Sequence, residues 1–202
     1  MCKRETPASD QTKRGFLEQA FHVPAYSETW RKGMKFVGYK NMDRVYEKVS
    51  QGALSKLNSG KRVTDSFALS LLTYMALRAC GPNDQAVHKG EKPYWCYWGG
   101  WNDAMDDLGM TLPDYEPTSD PELISEEQYR RNAEGLPKRR RTAWNRIGSA
   151  AKFMQQRGIL KLLKPANVFQ QKNAIWLLCL GTPTENLLAE KQAREYFHLG
   201  EE

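Results

Sequence analysis

Apolar and polar positions along the chain follow several different rhythms. From Asn41 to Asn58, Met42, Val45, Tyr46, Val49, Leu54 and Leu57 recur near the three-and-four spacing of an amphipathic helix, with Gly52 as its weak point. This predicts an N-terminal helical extension, taken as residues 21–62, behind a polar tail (1–20) expected to be disordered. The run Phe67–Ala79 is apolar on most faces and predicts a core helix, opened by Thr64 or Asp65 and stopped by Gly81-Pro82. After a polar stretch, "YWCYWGGW" brings together Tyr94, Trp95, Tyr97, Trp98 and Trp101. The following "WNDAMDDLG" predicts a short helix that buries Trp101, Ala104, Met105 and Leu108 and ends at Gly109.

Residues 111–124 mix prolines with acids and predict a loop, long for a compact domain; residues 125–134 add a further turn or two of helix. Pro137 suits a first helical position, and Ala143, Ile147, Ala150, Ala151 and Met154 then recur at threes and fours until Gly158. The opposite face of this helix carries Arg141, Asn145, Ser149 and Lys152. "ILKLLK" and "AIWLLCL" read as two strands joined by a basic turn, "PANVFQQKN". Thr182-x-x-Glu185 has the capping-box pattern and opens a C-terminal helix in residues 184–202. The fold class is therefore mainly α with a small β-hairpin. Its central domain spans residues 63–183, with an acidic insertion at 111–127.

Charge sharpens this picture. The chain has 202 residues and a formal net charge of +6, which is unremarkable, but its distribution is not. Residues 102–127 contain acids and no base. From Gly135 to Thr184 the reverse holds: Lys138, Arg139, Arg140, Arg141, Arg146, Lys152, Arg157, Lys161, Lys164 and Lys172 occur without one Asp or Glu. Segregation of this kind builds a field that attracts polyanions. A lone "KRRR" is more often a solvated face. Here the acid-free window coincides with one helix and the hairpin after it. The acidic segment, lying close in sequence, is expected to rest against the basic helix and to be displaced by phosphate.

The order core helix, short helix, basic helix and hairpin is that of the winged helix-turn-helix, in which a helix enters the major groove and the hairpin wing lies along the backbone. The pieces "LLTYMALRAC", "YWCYWGGWNDAMDDLGM", "AKFMQQRGIL" and "NAIWLLCLG" resemble helix-turn-helix proteins of actinobacterial plasmids, integrative elements and phages, and the winged-helix domains of plasmid replication initiators. The resemblance covers about residues 65–181. It implies a double-stranded DNA-binding protein, a transcriptional regulator or replication accessory factor of a mobile element. Lys138, Arg139, Arg140, Arg141, Asn145, Arg146, Ser149 and Lys152 are the expected helix contacts, and Lys161, Lys164 and Lys172 the expected wing contacts. Trp98, Gly99, Gly100 and Trp101 resemble the entry to the first helix of the motif, so the aromatic rings are expected to pack rather than to stack on bases.

Other chemistry finds little support. Cys2, Cys80, Cys96 and Cys179 form no CxxC pair, and His88 between Cys80 and Cys96 lacks a fourth ligand at metal spacing, so no metal, cofactor or disulfide framework is expected. His22, His88 and His198 have no nucleophile at a catalytic spacing, and neither GxxxxGK[ST] nor GxGxxG occurs, so no enzyme is expected. A charged N-terminus and the lack of a long apolar run predict a cytoplasmic protein without a membrane span. Self-association through residues 41–58 or the C-terminal helix is left open. The rival reading is a protein-interaction module of a phage or plasmid, whose basic face and exposed Trp95 and Trp98 would bind a host or element-encoded protein. RNA binding shares the same charge argument.

Overall fold

Two helices make the centre of the molecule, and each is positioned by its sequence. The computed structural model describes residues 38–113, 124–167, 169–170 and 172–200; the polar tail and most of the acidic insertion lie outside these residues. In chain order the elements are α1 (Asn41–Ser50), β1 (Ser55–Asn58), β2 (Lys61–Thr64), α2 (Ser66–Arg78), α3 (Gln85–His88), β3 (Cys96–Tyr97), α4 (Trp101–Asp107), α5 (Glu126–Gln156), β4 (Leu160–Lys164), β5 (Ile175–Leu178) and α6 (Pro183–Tyr196). The fold is mixed, helices with small antiparallel sheets, and it contains the expected helix followed by a hairpin.

Helix α2 is the core helix that its composition predicts. Asp65 caps it by accepting from the Ala68 amide at 2.9 Å, and Ala68, Leu71, Leu72, Tyr74, Met75 and Ala76 are buried. Against it packs α5, through the predicted stripe of Ala143, Ile147, Ala150, Ala151 and Met154. Gly158, with φ 68°, ends α5, and Gly109, also at 68°, ends α4; both conformations favour glycine. Helix α6 opens with the Thr182/Glu185 capping box read from the sequence.

The sheet contains a strand that periodicity does not predict. β5 is central in the order β3-β5-β4, antiparallel to both neighbours, with Cys96 opposite Leu177 and Leu160 opposite Leu178. Residues Ile175–Leu178 are buried at every position, as a strand covered on both faces requires. β3 is two residues long and lies within the aromatic stretch, which answers what those rings do. Trp95 is 1% exposed, Tyr97 stacks on Trp101 at 6.0 Å between ring centres, Trp101 meets Trp176 at 5.6 Å, and Trp98 meets Phe197 edge-on at 5.3 Å. The rings thus join β3 to α4, β5 and the end of α6, the packing role expected of them.

Buried Asn41 fixes a further junction. Its Nδ2 donates to the Ala76 and Ala79 carbonyls at 3.0 and 2.9 Å, and its Oδ1 accepts from the Trp95 indole at 3.1 Å. Two carbonyls left open at the end of α2 are satisfied, and α1 is tied to the aromatic segment. Gly181 is required beside it: a Cβ there would meet the Trp95 ring at 2.5 Å.

Two expectations need correction. The helix predicted to run from Asn41 to Asn58 stops at Ser50, and Ser55–Thr64 form a hairpin, β1 against β2 with Asn58 opposite Lys61. Ser59 and Gly60 have φ of 49° and 79°, the signature of a two-residue turn that suits the twist of a hairpin. That turn overrides the weak apolar spacing beyond Gly52. Second, the basic helix does not begin at Pro137. It begins at Glu126, where Ser125 and Gln128 form a full capping box above Glu126 and Glu127, so these two acids belong to a helix and not to the insertion. Pro137 lies inside α5, where it removes one backbone donor, that to the Ala133 carbonyl.

Candidate nucleic-acid interface

Helix α5 is 31 residues long, about 46 Å at 1.5 Å per residue, and its two halves differ. The first, Glu126 to Leu136, is mostly exposed and held by pairs along its own surface: Arg131 with Glu127, and Arg130 with Glu134 at 3.9 Å. The second half buries the apolar stripe and so turns its opposite face outward. Lys138, Arg141, Asn145, Ser149 and Lys152, spaced by threes and fours, are all exposed on that face. Thr142 lies exposed among them, and the sequence from Gly135 to Thr184 contains no acid.

The other predicted helix residues lie on the flanks, engaged by the fold. Arg139 turns back along α5 and donates to Asn132. Arg140 faces Asp106 of α4 at 3.7 Å. Arg146 lies over the Phe67 ring of α2, 4.1 Å from its centre. Between these flanks and Met110 an open groove of about 500 Å³ is lined by Gly135, Lys138, Arg139, Thr142, Ala143 and Arg146. The Asp106 contact is the described portion of the acidic segment that reaches the basic helix; residues 114–123, on which the displacement idea mostly rests, lie outside the described residues.

The three residues predicted for a wing also separate. Lys161 is committed to Glu190 of α6 at 2.8 Å. Burial would raise the Glu190 carboxyl, but hydrogen bonds from Lys161 and Arg194 outweigh it and hold the group below its ordinary value. Lys164, half-buried, ends β4 opposite Ile175, beside a register shift between Leu162 and Lys164. Lys172 is exposed and closes the turn by a reciprocal pair of backbone bonds with Asn167, 2.8 and 3.0 Å.

Two exposed rings on these elements escape the sequence reading. Trp144 is 50% exposed on α5, and Phe169, at the tip of the β4–β5 turn, is fully exposed. Trp144 lies three residues before Ile147 and seven before Ala151, so spacing alone counts it with the buried stripe, and its exposure shows only in the fold. Phe169 sits in a polar turn with no period to mark it.

No group of three His, Cys, Asp or Glu side chains lies close enough to hold a metal among the described residues. Cys80, Cys96 and Cys179 are free thiols, and burial pushes Cys96 up to about 12. No described helix is long and apolar enough to cross a membrane. Compared with known proteins, the chain matches no family model, no curated protein and no solved structure.

Proposed function

We propose that the protein binds double-stranded DNA, with α2–β3–α4–α5–β4–β5 acting as a winged helix-turn-helix. The observation that carries this reading is the exposed row Lys138, Arg141, Asn145, Ser149 and Lys152 on α5, free of acids and followed directly by a hairpin with Lys172 at its turn. The strand between the first two helices supports it as well. Its pairing with the last strand, in the order β3-β5-β4, is the arrangement that a wing needs to stay attached to the core.

In this reading Lys138, Arg141 and Lys152 neutralise phosphates and set the register. Asn145 and Ser149 lie at the level of base edges, where an Asn amide can pair with both the N6 and N7 of adenine. Lys164 and Lys172 add backbone contacts from the wing. Arg139, Arg140, Arg146 and Lys161 act chiefly by holding the interface in place. The resemblance points to a regulator or replication accessory factor of a mobile element, working in a reducing cytoplasm. The rival protein-interaction reading rests on the same basic face and on the aromatic stretch; Trp95 is buried and Trp98 packs on Phe197, which removes support from its aromatic half.

The test is binding to a labelled random-sequence duplex across a salt titration, for the wild type and for a Lys138→Ala/Arg141→Ala/Lys152→Ala variant. Each phosphate contact contributes about 0.9 to the slope of log affinity against log salt, so the variant's slope should be shallower by about 3. A wild type that fails to bind at low salt would overturn the reading.

A further inference from the structure

The β1–β2 hairpin has no part in the interface just described, and the core does not need it. Ser55 is half-buried and every other strand residue is exposed, including Leu57 and Val63. A lone two-stranded hairpin is marginal in water, so what holds this one is its base. Lys56 pairs with Asp65 and lies over the Phe153 ring, 4.3 Å from its centre, while Arg157 Nη2 donates to the Ser55 carbonyl at 2.9 Å. Phe153 lies in the last turn of α5 and Arg157 is its C-cap residue. The hairpin is therefore mounted on the helix that carries the exposed basic row, at the opposite end from Lys138.

Its composition fits the same ligand. Residues 55–64 contain Lys56, Lys61 and Arg62 and no acid. Lys56 is spent on the anchor. Lys61 and Arg62 are exposed at the outer end and, among the described residues, neither faces a carboxylate within ion-pair distance. As neighbours on a strand they point to opposite faces of the ribbon, Lys61 beside Asn58 and Arg62 beside Leu57. A two-stranded ribbon fits a major groove about 12 Å wide, and one that enters edge-on, tip first, turns one of these cations toward each phosphate wall.

We propose that the β1–β2 hairpin is a second duplex-DNA contact, through Lys61 and Arg62, beyond the C-terminal end of α5. This rests on the DNA-binding reading above and extends the contacted surface past the helix and wing. The experiment repeats the salt titration with Lys61→Ala/Arg62→Ala and with the charge-keeping Lys61→Arg/Arg62→Lys. The alanine variant should bind at least about tenfold more weakly at low salt, with a slope shallower by about 2, and the charge-keeping variant should match the wild type. Its thermal midpoint should not move, since neither side chain touches the core. An alanine variant with the wild-type slope, beside a Lys138/Arg141/Lys152 variant whose slope is shallower by about 3, would overturn the hairpin contact and leave the helix reading intact. A wild type that does not bind would remove both.

Discussion

β5 and β2 are strands of equal length, each half of an antiparallel hairpin, yet β5 is buried at all four positions and β2 at none. In β4–β5 the apolar side chains do the work: Leu160, Leu163, Ile175 and Leu177 sit in the core, and the register follows from which of them face it. In β1–β2 nothing apolar directs the pairing. Its turn, Ser59-Gly60, and its anchors on Asp65, Phe153 and Arg157 define it. One hairpin is a piece of the core and the other a fitting attached to it. A fitting that the core does not demand is where a surface function is best sought.

The comparison is broken most directly at Leu177, 1% exposed and opposite both Cys96 and Lys161. Replacing it by Ala removes buried apolar volume between strands and should cost about 2–5 kcal/mol in urea unfolding. A cost below about 1 kcal/mol would mean that β5 is not the core strand its burial implies.

A smaller effect sharpens the comparison through charge. Lys161 leaves β4 to meet Glu190, which Arg194 also contacts at 2.9 Å, so the outer side of the β4–β5 hairpin is fastened to α6. Since the folded protein holds the Glu190 carboxyl below its ordinary value of 4.5, the stabilisation is fully present above that pH and is lost as pH falls through the folded value. Glu190→Gln should therefore cost about 1 kcal/mol near neutral pH, with the gap to the wild type closing in acid. A gap that stays constant between neutral pH and pH 3 would mean that the side chain's shape matters rather than its charge.

Legibility in the sequence follows the same division. α2, the buried stripe of α5, β4, β5 and the cap of α6 were readable because apolar periodicity or a capping pair specifies each. The exposed face of α5 was readable as the complement of its stripe. β3 was not, because two residues carry no period and its place is set by β5 across the sheet. The start of α5 is hidden because Pro137 is as good a first residue as an interior one is costly, while the Ser125/Gln128 box lies in a segment whose side chains are mostly exposed. For Arg140, Arg146 and Lys161, the sequence supplies the charge but not the partner: Asp106, Phe67 and Glu190 approach from elsewhere in the chain.

The smallest expected effect is the most discriminating. Leu57 is 77% exposed, so Leu57→Ser removes a large apolar side chain from a strand and should still change unfolding free energy by no more than about 0.5 kcal/mol. Identical chemistry at Leu177 would be ruinous, and the contrast isolates burial from strand membership. A loss above about 1.5 kcal/mol would mean that Leu57 is covered in solution, most simply by another copy of the chain, and that the loss should grow with protein concentration. The predicted near-neutrality instead leaves the ribbon exposed, where Lys61 and Arg62 are free to meet a duplex.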